Sequence, residues 1–176
     1  MTQEGMKHMN IEEYKGVFVF IEQLDGHAMG VGYELIGEAT KLAAVRNTQV
    51  TAVVFGHKIE GLAARCAEHG ADKVILVDDP APEPYMTEPY THALTEVVQA
   101  KKPEILLYGA TAIGRDMAPR VSARVHTGLT ADCTGLAISD AENRFGPGHL
   151  MMTRPAFGGN IMATIVCPEH RPQMAT

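Results

Sequence analysis

The sequence predicts an α/β fold in which helices cover both faces of a doubly wound, mostly parallel sheet that is finished by antiparallel strands. In its first part, short apolar runs rich in β-branched or aromatic residues alternate with stretches whose apolar residues recur at helical spacing. Beyond Gly128 the strand-like runs follow one another with no helical stretch between them. Alternating strands and helices predict right-handed crossovers and a parallel, three-layer arrangement, whereas consecutive strands predict hairpins.

These runs define the individual elements in chain order. The predicted strands are 17–21, 50–55, 73–77 and 105–108, and the predicted helices occupy 35–46, 59–67, 90–98 and 117–125. A glycine-bearing flexible loop is predicted over 26–32, and a proline-rich loop includes Pro80, Pro82, Pro84 and Pro89. The later strand-like stretches are 130–138, 150–153 and 161–167, with a hairpin turn at 143–148. Residues 1–14 lack periodicity and are predicted to be a loose arm on a single domain that spans 15–176.

Composition excludes several functional classes. The 176 residues carry 15 Lys and Arg against 21 Asp and Glu, a formal charge of −6, which disfavours a nucleic-acid partner. No apolar run approaches the roughly 20 residues of a membrane span, and no signal peptide is evident, so we expect a cytoplasmic protein. The three cysteines lie far apart in apolar or helical stretches, which is typical of reduced, buried thiols.

Motifs for self-sufficient catalysis are absent from the sequence. It contains no G-x-G-x-x-G, no G-x-x-x-x-G-K-[ST], no G-x-S-x-G and no H-E-x-x-H. We therefore assign no catalytic residue and no metal ligand.

Residues 109–116 follow the fourth predicted strand and open the next helix. Small residues let a ligand approach the backbone, the helix N-terminus favours an anion, and Arg115 offers a bidentate clamp. Gly114, Arg115 and Asp116 are therefore candidate residues for an anion or a nucleotide. A structural interpretation is equally open: Asp116 caps the helix, Pro119 lies in its first turn, and Arg115 pairs with a neighbouring carboxylate.

Residues 153–160 are predicted to form a strand that breaks at Pro155 and resumes after a diglycine. An exposed Phe157 beside Arg154 indicates contact with a partner or with a flat ring. The alternative is an ordinary hairpin turn with a surface arginine.

Three stretches in combination resemble the large (alpha) subunit of electron-transfer flavoproteins. They are 17–22 (V-F-V-F-I-E), 109–120 (G-A-T-A-I-G-R-D-M-A-P-R) continuing to 128–133 (G-L-T-A-D-C), and 153–164 (T-R-P-A-F-G-G-N-I-M-A-T). The resemblance covers about residues 15–176 and only the amino-terminal domain of that subunit. The family's carboxy-terminal half, which binds FAD, lies outside it.

The resemblance implies a Rossmann-like domain, related to adenine-nucleotide α-hydrolases, that has lost its own nucleotide. Such a domain packs against the small (beta) subunit and walls its nucleotide or flavin site. FAD is then held mainly by the carboxy-terminal half and the small subunit, which carries AMP or, in the electron-bifurcating type, a second FAD. A redox dehydrogenase partner is also implied, with electrons passing between NADH or an acyl-CoA dehydrogenase and an acceptor.

The resemblance also places individual residues. Segments 114–116 and 130–134 would shape the core and the interface, while 25–32 and 157–163 are more similar to the bifurcating group. The residues near the partner's flavin would be Arg154, Phe157, Gly158, Gly159 and Asn160.

A free-standing adenine-nucleotide-binding domain of stress-protein type is the alternative function, with 109–116 as its site. Such domains usually show a G-[ST] pair downstream of a G-x-x-G, and none occurs here between Gly114 and Gly128. This absence favours the flavoprotein. A synthetase with an S-G-G-x-D-S loop has no support, since 22–26 reads E-Q-L-D-G.

Overall fold

A computed structural model describes residues 9–80, 85–156 and 161–176. In chain order its elements are β1 (Val17–Ile21), β2 (Gln23–Leu24), β3 (His27–Ala28), α1 (Gly30–Arg46), β4 (Val50–Gly56), α2 (Glu60–Glu68), β5 (Lys73–Asp78), α3 (Thr87–Lys101), β6 (Ile105–Leu107), α4 (Ala112–Arg124), β7 (Leu129–Thr130), β8 (Gly135–Ile138), β9 (Leu150–Pro155), β10 (Met162–Ile165) and β11 (Gln173–Ala175). The predicted α/β class is confirmed.

The main sheet has six parallel strands in the order β5-β4-β1-β6-β11-β7. Strand β1 lies inside it, with Val17 paired to Val50 of β4 on one side and to Ile105 of β6 on the other. The chain leaves β1 toward β5, then crosses back to β6, so the direction of winding reverses between β1 and β6. That reversal is the switch point at which doubly wound sheets usually bind ligands.

Side-chain alternation along the strands builds a core on each face of this sheet. Val17, Val19 and Ile21 of β1 join a cluster with buried residues of α1 and α2. Phe18 and Phe20 point the other way, into a cluster with buried residues of α3 and α4. A strand covered on both faces must be apolar throughout, which explains why β1 reads as an unbroken apolar run. The three-layer arrangement is thus confirmed.

The last strand of the main sheet, β11, is not among the predicted elements. It lies between β6 and β7, with Met174 paired to Leu106 and to Leu129. In chain order, the last strand of the parallel sheet therefore comes after the antiparallel strands. The run is short and contains Gln173, which is fully buried and whose Oε1 accepts from the Leu150 N–H at 2.8 Å. A polar residue whose partner is distant in sequence leaves no local signal of a strand.

A three-stranded antiparallel sheet, β10-β9-β8, packs on the α1 side of the molecule. Leu150 and Met152 of β9 are buried in the core there. The predicted strand over 130–138 is wrong as a single element, because β7 belongs to the main sheet and β8 to this one. Asp132 separates them in a left-handed conformation, with φ of 59°. The predicted turn at 143–148 is confirmed, since β8 and β9 form a hairpin.

The segment after β1 is ordered rather than a flexible loop over 26–32. Strands β2 and β3 form a small hairpin whose two-residue turn, Asp25-Gly26, has φ of 50° and 75°. Positive φ at both turn residues is typical of the type I′ turn favoured by Asp-Gly. Helix α1 then begins at Gly30, and a Cβ on Gly32 would lie 3.2 Å from Ile21 Cγ2. Two of the loop glycines therefore belong to a helix that approaches β1 closely.

Two prolines lie deeper in helices than expected. Pro89 belongs to the first turn of α3 rather than to the preceding loop, and a first turn tolerates its missing N–H. Pro119 lies in the interior of α4 rather than in its first turn, and in that interior position it removes one backbone hydrogen bond.

In the amino-terminal segment, Ile11–Glu13 form a 3-10 turn, and the Glu13 carboxylate pairs with Lys102. The division into an arm and a domain stays a prediction. Within the described ranges, no helix is long and apolar enough to cross a membrane.

Candidate functional site

At the switch point, the carboxyl group of Glu22 lies against the start of α4. Glu22 directly follows β1 and is 5% exposed. The Thr111 hydroxyl donates to Glu22 Oε1, and the Gly114 N–H donates to Thr111 Oγ1 at 3.1 Å. Burial raises the pKa of Glu22, while the hydrogen bonds from Thr111 and Gly114 act in the opposite direction. The chain thus presents its own carboxyl group where a doubly wound domain would receive a ligand.

Gly109 and Gly114 are explained by the packing of this loop on itself. A Cβ on Gly114 would lie far inside contact distance of the Gly109 carbonyl oxygen, and 3.5 Å from Glu22 Oε1. A Cβ on Gly109 would lie 3.1 Å from Val31 Cγ1 and 3.3 Å from Glu22 Oε1. Both positions require glycine because protein atoms already fill the space beside them.

Arg115 and Asp116 have protein partners. Arg115 pairs with Asp132 at 2.8 Å, as the structural interpretation expected. The expected cap at Asp116 is wrong, since Thr111 is the N-cap of α4 and its side chain accepts from Gly114. Thr precedes the helix with extended backbone, which is the conformation that a cap needs.

Asp116 instead joins α4 to the start of α3. Its Oδ2 accepts from the Tyr85 hydroxyl at 2.7 Å and from the Thr87 hydroxyl at 2.5 Å. Its Oδ1 pairs with Arg120 at 3.2 Å, one helical turn away. The hydrogen bonds from Thr87 and Tyr85 lower the pKa of Asp116. Burial, together with the hydrogen bond to Asp116, raises the pKa of Tyr85 to about 12. Arg115 and Asp116 therefore contact different parts of the protein, and the role of Gly114, Arg115 and Asp116 in binding an anion stays a prediction.

A second candidate surface, the β9–β10 hairpin, lies outside the main sheet. Arg154 of β9 pairs across the hairpin with Ala163 of β10. Together with Pro155, Ala156 and Ile165, these two residues line a groove of about 400 Å³. Four of the predicted site residues, Phe157, Gly158, Gly159 and Asn160, lie outside the described residues.

The side chain of Arg154 combines a place in the groove lining with a buried donor atom. Its Nε is buried and has no hydrogen-bond partner within the described ranges. A buried guanidinium donor without an acceptor costs free energy, on the order of 1–3 kcal/mol, unless a partner supplies one. The Arg154 charge also lowers the pKa of the Cys133 thiol, although burial, the larger effect, raises it. The groove therefore combines a positive charge with an apolar lining.

Large apolar side chains are exposed along the same hairpin. Ile161, Met162 and Ile165 are 63%, 54% and 42% exposed. Strand β10 is also an edge strand of its sheet, since β9 is its one partner within the ranges 9–80, 85–156 and 161–176. An exposed apolar edge strand is a liability in isolation and is typical of a surface that another chain covers.

This groove suits one wall of a flavin site rather than a complete one. An apolar lining matches a flat ring, and the positive charge of Arg154 matches a negative charge on its rim. The closed loop at Gly109 and Gly114 leaves no comparable cradle for the phosphates at the switch point.

Glu22 falls in the stretch 17–22 and Cys133 in the interface segment 130–134, but the sequence alone assigns neither side chain a role in a site. For Glu22 a signal existed, because an acidic residue directly after a strand buried on both faces stands at the ligand-binding edge of the sheet. For Cys133 the resemblance indicated only the segment, since the effect of Arg154 on its thiol depends on the fold of the three-stranded sheet.

Fold and surfaces together define a Rossmann-like α/β domain whose own ligand edge is closed and whose small antiparallel sheet is open to a partner. Comparison with known proteins agrees with this class. Residues 17–176 match the model of the electron transfer flavoprotein domain. The chain belongs to the electron transfer flavoprotein family.

Several curated relatives align with nearly all of the chain. It is 51% identical to a protein named FixB from Clostridium saccharobutylicum, over 96% of this chain and 48% of that protein. It is also 51% identical to electron transfer flavoprotein subunit alpha from Thermoanaerobacterium thermosaccharolyticum, over 94% and 48%. It is 42% identical to lactate dehydrogenase (NAD(+),ferredoxin) subunit LctC from Acetobacterium woodii, over 93% and 38%. The chain thus spans about half the length of the first two relatives, and less of the third.

Proposed function

We propose that this chain is the part of an electron-transfer flavoprotein large subunit that packs against the small subunit through the β9–β10 hairpin. The carrying observation is the hairpin itself, where exposed Ile165 lines a groove together with Arg154, and where Ile161 and Met162 are exposed as well. An apolar patch of this kind with one arginine has the composition of an interface core.

In the assembled protein, electrons pass between NADH or an acyl-CoA dehydrogenase and a redox acceptor through FAD. The relatives' names support this role, since they include a flavoprotein alpha subunit and a subunit of a dehydrogenase that names NAD(+) and ferredoxin. The second name also favours the electron-bifurcating type, in which the small subunit carries a second FAD instead of AMP.

The residues of this chain act on that flavin through position and charge. FAD supplies the electron-accepting ring when it is bound, mainly by the small subunit and by the half of the large subunit that this chain does not span. Arg154 would supply a positive charge beside the ring, which would favour the reduced, anionic form. Phe157, Gly158, Gly159 and Asn160, which lie outside the described residues, are the further residues that we propose to lie near the flavin.

The test is complex formation with the small subunit from the same organism, measured by isothermal titration calorimetry and analytical ultracentrifugation. We expect a one-to-one complex. Replacing Ile165 by Asp buries a charge in the interface and should weaken the complex at least tenfold, which is about 1.4 kcal/mol.

The matched control is Val45→Asp, which places the same charge on an apolar side chain of α1 that is 69% exposed and outside the hairpin. We expect the control to bind as the wild type does. Absence of any complex, or equal weakening by both variants, would overturn the proposed interface.

A further inference from the structure

The closed switch point supports an inference that does not depend on the proposed partner. Its elements are Glu22 after β1, Thr111 at the N-cap of α4, and the glycines at 109 and 114. Each has a defined contact in the structure.

The Glu22 carboxyl group lies at the amino end of α4, where a bound anion would lie. The first N–H groups of a helix attract anions, and in doubly wound sheets this end lies beside the carboxyl ends of the strands. Here Glu22 Oε1 accepts from the Thr111 hydroxyl, which itself accepts from the Gly114 N–H. One buried side chain therefore accepts the hydrogen bond of the cap hydroxyl at the place where a phosphate would otherwise lie.

Steric evidence gives the same result independently. The Cβ positions of Gly109 and Gly114 would lie 3.3 and 3.5 Å from Glu22 Oε1. The carboxyl group is thus in contact with both ends of the loop, and its 5% exposure shows that little solvent reaches it. A phosphate cannot enter this space while the Glu22 side chain occupies it.

We propose that Glu22 is a built-in substitute for the phosphate group of a nucleotide, and that its side chain determines that this domain binds no nucleotide of its own. Glu22 thus determines specificity by excluding the phosphate group of a nucleotide from this edge of the sheet. Removing the side chain should uncover an anion site formed by Thr111 and the N–H groups at the start of α4.

The experiment compares the wild-type chain with Glu22→Ala, Glu22→Ser and Glu22→Gln, using inorganic phosphate and AMP as probes. Binding is measured by isothermal titration calorimetry, and thermal unfolding is followed with increasing phosphate. We expect the Ala and Ser variants to bind phosphate at least tenfold more tightly than the wild type and to be stabilised by it. Glu22→Gln fills the same space and should behave as the wild type does.

Two controls keep the result specific. Glu96→Ala removes an exposed carboxylate from α3 and so matches the change in net charge without opening a site. Combining Glu22→Ala with Thr111→Val should abolish the gain, because the cap hydroxyl is then absent. Saturable binding of AMP by the wild type, or no gain in folded Ala or Ser variants, would overturn the proposal. If neither variant folds, wild-type binding decides: saturable phosphate or AMP binding refutes exclusion, and its absence supports it.

Discussion

Replacing Gly114 by Ala is the most direct test of whether the loop at the switch point is closed. The added Cβ would fall well inside the usual contact distance of about 3.5 Å from the Gly109 carbonyl oxygen, which is backbone and cannot rotate away. Either α4 or the loop must move, and the Thr111 cap and the Glu22 contact are lost with it.

The magnitude follows from these two losses. Overpacking of a filled site costs about 1–3 kcal/mol, and loss of a Thr cap costs about 1 kcal/mol. We therefore expect Gly114→Ala to lower the free energy of unfolding by about 3 kcal/mol. For a chain of this length that corresponds to a fall in Tm of roughly 6–12 °C.

The matched control is Gly37→Ala in the middle of α1, where a Cβ would have no neighbour within 4 Å. In that open helical position alanine should stabilise the fold by about 0.5–1 kcal/mol. Urea denaturation followed by circular dichroism measures both variants. If Gly114→Ala is as stable as the wild type, the loop is open and the argument for a closed switch point is refuted.

Three further predictions concern titration, redox chemistry and thiol reactivity. The pKa of Glu22 is raised above its ordinary value of 4.5, so the folded chain keeps this proton at pH values where the unfolded chain has released it. The wild type should therefore lose stability relative to Glu22→Gln as pH rises from 4.5 through the folded pKa. Parallel curves of stability against pH for the two proteins would contradict this. In the two-subunit flavoprotein, Arg154→Ala should lower the flavin reduction potential and Arg154→Lys should restore part of it, as spectroelectrochemical titration would show; an unchanged potential removes Arg154 from the flavin site. In the native chain, mass spectrometry after brief alkylation should find the half-buried Cys133 and Cys167 labelled before the fully buried Cys66, and early labelling of Cys66 would contradict the core packing.

The parallel half of the fold could be predicted because its information is local. The residues of β1 are apolar at every position and β4 departs from this only at Thr51 and its terminal Gly56, so the apolar runs identify both strands without knowledge of their neighbours. Strand β11 has no such signal, because Gln173 is stabilised by the backbone of Leu150, which is distant in sequence. The interior position of Pro119 was missed because the predicted start of α4 was placed too late, at the apolar residues rather than at its Thr111 cap.

The candidate site divides in the same way. The loop 109–116 was identified from small residues after a strand, and the pairing of Arg115 with a carboxylate was anticipated. The identity of that carboxylate, Asp132, depends on the left-handed turn between β7 and β8 and has no sequence signal. The burial of the Arg154 Nε depends on the register of β9 against β10.

The two surfaces together explain why the function should lie at the small sheet. A doubly wound domain normally acts at the carboxyl edge of its parallel strands, yet here that edge is filled by the Glu22 side chain and by a loop that glycine alone permits. The β9–β10 hairpin has the opposite character, with exposed apolar residues and a buried donor that has no acceptor within the described residues. Closing this edge removes no function from a domain that contributes contacts to a partner and binds no ligand of its own. The fold would then serve as a rigid support, and Arg154 would complete a site whose cofactor is held by other parts of the flavoprotein.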